Sequence, residues 1–226
     1  MQLEHHPRIV TSDLILYFDT VNYRSYSGSG VTVNGLVSGI GFTLVNGVGF
    51  GTTGTNYFIL DGTNDNIPFS IPNVGTTVSV EMWMRIKSFA NGMPFGFDRY
   101  DVWANSGRLG FNTAASDIYG LTSTQVTNLG LENQWKHYIF EMRSDVSYLN
   151  NKIYINGQNQ SLSQVAGTEN ASFRNFNSGN GRISSWIFSD VFFISMDLAQ
   201  FRTYNRALSA TEIVQNYNAT KKRYGL

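Results

Sequence analysis

The chain contains no cysteine, which excludes disulfides, thiol chemistry and Cys-containing zinc sites. Small animal extracellular modules often carry a disulfide, so the absence leans toward a bacterial or viral source. Charge is scarce too. Asp, Glu, Lys and Arg make up 14% of the 226 residues and the formal net charge is zero, against about 25% charged residues in a usual soluble domain. The solvent face must be built from Asn, Ser, Thr and Gly rather than from ion pairs. Nothing steers such a chain toward nucleic acid or an anionic membrane. Long surface helices, which draw on Glu, Lys and Ala, are disfavoured by the same shortage. No apolar run is long enough for a membrane span: Leu14 to Phe18 is bounded by Asp13 and Asp19 and is strand-sized. The first residues are polar and include Glu4, so no secretory signal is expected. Residues 1–8 are expected to be flexible, and His5-His6 is too short a run to suggest metal binding.

Apolar residues are plentiful at 42%, and aromatics alone reach 14%. The clearest pattern runs from Thr77 to Lys87, where Val78, Val80, Met82, Met84 and Ile86 alternate with Ser79, Glu81, Trp83 and Arg85. That is the period of a strand with one apolar face. Further strand signals occur at Leu14 to Phe18, Tyr57 to Leu60, Trp135 to Met142, Ile183 to Phe188 and Val191 to Tyr204. Pro68 marks Ile67 to Phe69 as an edge strand or a strand start. Asn105-Ser-Gly107 and Asn156-Gly157 read as hairpin turns, while Val21 to Gly41 and Val165 to Gly181 read as long loops. Helical periodicity is absent until Ser209. There Ser209 and Glu212 form a capping box and Leu208 with Ile213 a hydrophobic staple. Ile213, Val214 and Tyr217 would make the helix's apolar stripe, with Gln215, Asn216 and Asn218 turned away. Lys221, Lys222 and Arg223 suit the last turn and Gly225 the stop. No linker divides residues 1–226, so one all-β domain of packed antiparallel sheets with one short C-terminal helix is expected.

Several segments, taken in order, resemble the concanavalin A-like jelly-roll superfamily in its laminin G-like branch. They are Asp13-Leu-Ile-Leu-Tyr-Phe-Asp19, the turn Leu60-Asp-Gly-Thr-Asn-Asp-Asn-Ile67 and the strand Val78 to Arg85. Trp135-Lys-His-Tyr-Ile139, Lys152-Ile-Tyr-Ile-Asn-Gly157 and the closing run from Ala199 through Ile213 follow. The resemblance implies a sandwich of two antiparallel sheets. Ile213 to Gly225 is also similar to the endings of such domains in structural proteins of tailed bacteriophages.

Some members of this superfamily are glucanases, which place carboxylates on one strand face as Glu-x-Asp-x-x-Glu. Here Glu81-Met-Trp-Met-Arg85 has Trp83 where the Asp should stand, and no second Glu follows. Glycoside hydrolysis needs a pair of carboxylates, so no catalytic residue is assigned. Asp98 and Asp101 do not supply that pair, lying on opposite faces or in a turn. His137 has no evident catalytic partner and reads as a core or sheet-face histidine. Asp61 and Asp65 admit two readings. Related domains hold Ca²⁺ through rim-loop oxygens, while Asp-Gly turns commonly cap themselves by side-chain to backbone bonds. Tyr100, Trp103, Tyr119 and Trp186 are candidate sugar-stacking aromatics, set against packing within the sandwich.

The expected function is a non-catalytic module of a bacteriophage particle, serving structure, decoration or adhesion, with virion proteins or host glycans as partners. A free bacterial lectin, extracellular or at the cell surface, is the alternative, and a glucanase the remote one. Flat polar sandwich faces also allow a homo-oligomer.

Overall fold

The computed structural model describes residues 7–70, 74–97, 100–113, 116–169 and 180–226. In chain order the strands are β1 (Leu14–Asp19), β2 (Thr32–Val33), β3 (Phe42–Thr43), β4 (Gly49–Gly51), β5 (Tyr57–Asp61), β6 (Ile67–Ser70), β7 (Thr77–Ile86), β8 (Asn91–Phe97) and β9 (Tyr100–Asn105). There follow β10 (Arg108–Asn112), β11 (Ile118–Leu121), β12 (Lys136–Arg143), β13 (Lys152–Ile155), β14 (Gln158–Asn159), β15 (Ser163–Ala166), β16 (Asn180–Ile183) and β17 (Ser195–Tyr204). Helix α1 (Ser123–Asn128) lies between β11 and β12, and α2 (Ala210–Thr220) follows β17.

Among the described residues the strands form an eight-stranded sheet, β14-β13-β12-β7-β17-β5-β4 with β1 also on β17, a seven-stranded sheet, β15-β11-β10-β9-β8-β16-β6, and the small pair β2-β3. Strand β17 divides one edge between β5, from Ser195 to Leu198, and β1, from Gln200 onward, while β7 covers its other edge. The alternation in β7 orients the eight-stranded sheet. Val78, Val80, Met82, Met84 and Ile86 join a core with Phe95, Phe97, Val102, Leu109 and Phe111 of the seven-stranded sheet. Strand β6 is an edge strand, which suits Pro68, a residue without an N–H to donate. Both hairpin turns have left-handed central residues, Ser106 and Gly107 at φ 51° and 79°, Asn156 and Gly157 at 50° and 82°. That is the turn geometry matching strand twist. This is the two-sheet antiparallel sandwich expected from the sequence.

Helix α2 carries the expected capping box, with Ser209 Oγ accepting from Glu212 N–H and the Glu212 carboxylate accepting from Ser209 N–H. Leu208 and Ile213 share one buried cluster, as a staple requires. The predicted stripe is corrected at two positions. Asn216 is fully buried and faces the sheet, while Val214 is 40% exposed. The reason is a buried acid on β7 that Asn216 serves. Lys221–Tyr224 leave the α-helix and form a 3₁₀ turn closed by Gly225 at φ 74°. Two further expectations change. Thr122 and Gln125 make a second capping box that starts α1, a helix of six residues. Residues 184–194 hold no strand. They form a loop whose base is tied by Ser184 Oγ, which donates to Ile194 O and accepts from Ile194 N–H. Its Trp186 N–H donates to Val191 O. The expected flexible start, with His5-His6, and most of the expected loop after Val165 lie outside the described residues.

Candidate functional site

The two sheets differ in what covers their outer faces. On the eight-stranded sheet the outward Glu81 and Trp83 of β7 are sealed by α2 and the 3₁₀ turn after it. Trp83 is fully buried, its ring 3.9 Å from that of Tyr224 and nearly parallel, and its Nε1 donates to Thr220 Oγ1 at 2.7 Å. Glu81, 1% exposed, receives Arg202 Nη1 and Asn216 Nδ2, and its Oε1 lies 2.9 Å from His137 Nε2. Burial pushes the Glu81 carboxyl upward, but the Arg202 charge and the His137 and Asn216 hydrogen bonds outweigh it and hold it at about 2. Burial pulls the Arg202 guanidinium down, and the adjacent Glu81 charge more than offsets it. Arg202 also donates to Gln200 Oε1 at 2.8 Å and lies over the Tyr17 ring at 4.7 Å. An ionised acid locked among these partners cannot protonate a leaving group, and α2 bars a polymer from reaching it. His137 is fully buried here, a sheet-face histidine as expected.

Among the described residues no helix lies over the outer face of the seven-stranded sheet, although Asp101 and Asn112 on it are buried. Pairing registers set Pro68, Arg182, Gly96, Asp101 and Asn112 in one row across β6, β16, β8, β9 and β10. On one side of this row lie Ser70 and Asn180, with Ser70 Oγ donating to Asn180 Oδ1 at 2.9 Å. On the other lie Trp103, Gly110 and Gly120. A Cβ on Gly110 would lie 2.7 Å from Gly120 Cα, and one on Gly96 only 1.8 Å from Asp101 Oδ1. Glycine at these points lets backbone and carboxylate approach where any side chain would intrude.

At the β6 edge this face opens into a cleft of about 440 Å³ lined by Gly41, Thr43, Pro68, Ser70, Asn180, Arg182 and Ile187, among others. Arg182 Nη1 donates to Trp186 O and Asp190 Oδ1, both at 3.0 Å, and so pins the 184–194 loop. That loop exposes Phe188 at 59% and Val191 at 39%.

Two of the four predicted aromatics reach this region. Trp103 is half-buried, donates Nε1 to Asn91 Oδ1 at 2.9 Å and meets Phe192 of the loop edge-on at 5.6 Å. Trp186 lies in the loop, edge-on to Phe188. Tyr119 instead packs in the core at 8% exposure, against Tyr148. Tyr100 opens β9, and its side chain lies outside the described residues, as does Asp98. Asp61 and Asp65 serve their own turn. Asp61 Oδ1 accepts from Thr63 N–H at 2.7 Å, and buried Asp65 accepts from Asp61 N–H at 3.1 Å. Burial raises the Asp65 carboxyl above its ordinary value. Among the described residues no three His, Cys, Asp or Glu side chains gather where they could hold a metal ion. Both carboxylates are engaged by backbone N–H groups of their own turn. Sequence reading missed Arg182 and Asn180 because Gly181 was taken to end a loop. The alternation of Asn180 and Arg182 with Gly181 and Ile183 was the available signal.

A laminin G model described as the concanavalin A-like lectin/glucanases superfamily matches residues 61–214, more than half of the chain. The chain belongs to this superfamily. The resemblance seen in the strand and turn motifs is borne out. No curated protein sequence matches the chain. Among solved structures, the binding domain of Paraclostridial Mosquitocidal Protein 1 superposes with a TM-score of 0.65 at 15% identity, over 92% of this chain and 52% of that one. The ligand-binding domain of botulinum neurotoxin serotype D, solved in complex with N-acetylneuraminic acid, gives 0.62 at 13% identity, over 91% and 50%. A Trypanosoma rangeli sialidase gives 0.65 at 11% identity, over 95% and 34%. The chain spans about half the length of the first two and about a third of the last. Likeness at such identities establishes the lectin-like fold alone.

Proposed function

We propose that this superfamily member is a non-catalytic glycan-binding module that uses the outer face of its seven-stranded sheet. The carrying observation is the cleft at the β6 edge. Its volume suits a small ligand, and Thr43, Ser70, Asn180 and Arg182 line it with hydrogen-bonding groups beside apolar Pro68 and Ile187. The buried, ionised Glu81 argues against hydrolysis, and the serotype D domain with its sialic acid ligand supports a sugar-binding use of the fold. A glycan array with and without EDTA tests the reading. Binding to at least one glycan class, unchanged by EDTA, is expected, and silence under both conditions would overturn it. β-Glucans are expected to remain uncleaved.

The narrower reading places the module on a bacteriophage particle as a decoration or adhesion element for host glycans, and rests on the phage-like run Ile213 to Gly225. Mass spectrometry of purified virions should find the protein. Its absence there, with glycan binding intact, would favour a free bacterial lectin.

A further inference from the structure

We infer that the cleft at the β6 edge takes an acidic sugar residue, its anionic group held by the free edge of the Arg182 guanidinium. The inference rests on the glycan-binding reading and names the ligand class of that site. Arg182 pins the 184–194 loop through Nη1 alone, which reaches Trp186 O, Ser189 O and Asp190 Oδ1. Among the described residues Nε and Nη2 have no partner. These two nitrogens form the side edge of the guanidinium, whose parallel N–H bonds match the two oxygens of a carboxylate. Its side chain is 19% exposed, so the charge is partly shielded from water without being closed off. The loop carbonyls fix its orientation before any ligand arrives, which lowers the ordering cost of binding.

The surroundings fit an anion. No carboxylate lines the cleft. Asp190 touches Arg182 at 3.0 Å but is 75% exposed, so its hold is weakened by water. Asp101, in the same row, is buried over Gly96 and does not line the cleft. Asn180 accepts from Ser70 through Oδ1, which leaves its Nδ2 as a donor, and Thr43 also lines the cleft. An anchored charge with donors around it would read one acidic residue and its neighbouring hydroxyls.

The test compares oligosaccharide pairs that differ only in the acid, one ending in galacturonate and its partner in galactose, with a sulfated galactose as a third arm. Titration calorimetry on the full chain should show the galacturonate form binding at least about 10-fold tighter than the neutral one. Arg182→Gln should collapse that ratio to within about 2-fold, and Arg182→Lys should keep about 3-fold, since it retains the charge without the fork. Asp190→Asn, on the exposed loop, should raise the ratio by about 2-fold by removing the competing carboxylate. If the sulfated form alone shows the preference, the anion is a sulfate ester rather than a carboxylate, and the arginine assignment stands. Equal affinity of the wild-type chain for acidic and neutral members overturns this inference and leaves glycan binding intact. So does a preference that survives Arg182→Gln. Silence toward every glycan overturns both readings. Should Arg182→Gln fail to fold, the Asp190→Asn and Arg182→Lys ratios decide.

Discussion

At Glu81 an Arg, a His, an Asn and a Tyr converge on one buried carboxylate, and the arrangement is structural. Removing the negative charge leaves Arg202, itself fully buried, without its counter-ion. Breaking a buried pair from one side costs about 3–5 kcal/mol. Glu81→Gln is therefore expected to lower the unfolding free energy from urea titration by that amount, and a loss under about 1 kcal/mol would contradict the account. The glycines make the converse argument, since there the missing atom matters. A Cβ at Gly120 would stand 2.2 Å from Leu109 O and 2.4 Å from Gly110 Cα, both backbone. Gly120→Ala should destabilise by about 1–3 kcal/mol, because backbone cannot step aside as a side chain does. Neither residue's role was legible locally. Glu81 stood out only as a charge on the mixed face of a strand, and its partners come from β12, β17 and α2.

The elements were far more legible than the contacts between them. Helix α2 was readable to its cap because Ser209, Glu212, Leu208 and Ile213 act within one turn of each other. Ser209→Ala should cost about 1 kcal/mol in thermal or urea unfolding, the usual worth of a side-chain cap. Both hairpin turns were readable for the same reason, as were the edge position of Pro68 and the long alternating strand β7. Two elements escaped. Helix α1 is too short to show a period, and the 184–194 segment, rich in β-favouring residues, forms a loop. Its Ser184 and Phe192 adopt φ of 66° and 59°, which breaks the extended run. Strand propensity yielded there to bonds from the loop to Arg182 and β8, and the bonds to β8 depend on partners distant in the chain.

For the whole molecule, pH reports on the seal between α2 and the sheet. Glu81 has an ordinary value of 4.5 and is held at about 2 when folded. Glu212 is lowered likewise to about 2, chiefly by its hydrogen bond to Arg206, with burial opposing. A depressed carboxyl stabilises the folded state fully above its unfolded value and loses that contribution as pH falls through its folded one. Unfolding followed by circular dichroism should show stability falling between about pH 4.5 and about pH 2, with a shallower fall in Glu81→Gln. Glu212, a quarter exposed, contributes the smaller part. The sequence by itself determined the all-β class, the superfamily, the turns, the capped closing helix and the Trp83 that stands where a glucanase carries an Asp. Each of those is written in neighbouring residues and in the period of two. Only the tertiary structure decided which sheet face α2 covers, that Asn216 turns inward to Glu81, and that Arg182 stands in a cleft. Those outcomes depend on strand order and register, which bring together side chains more than a hundred residues apart, as with Arg202 and Glu81. No local pattern encodes such a meeting.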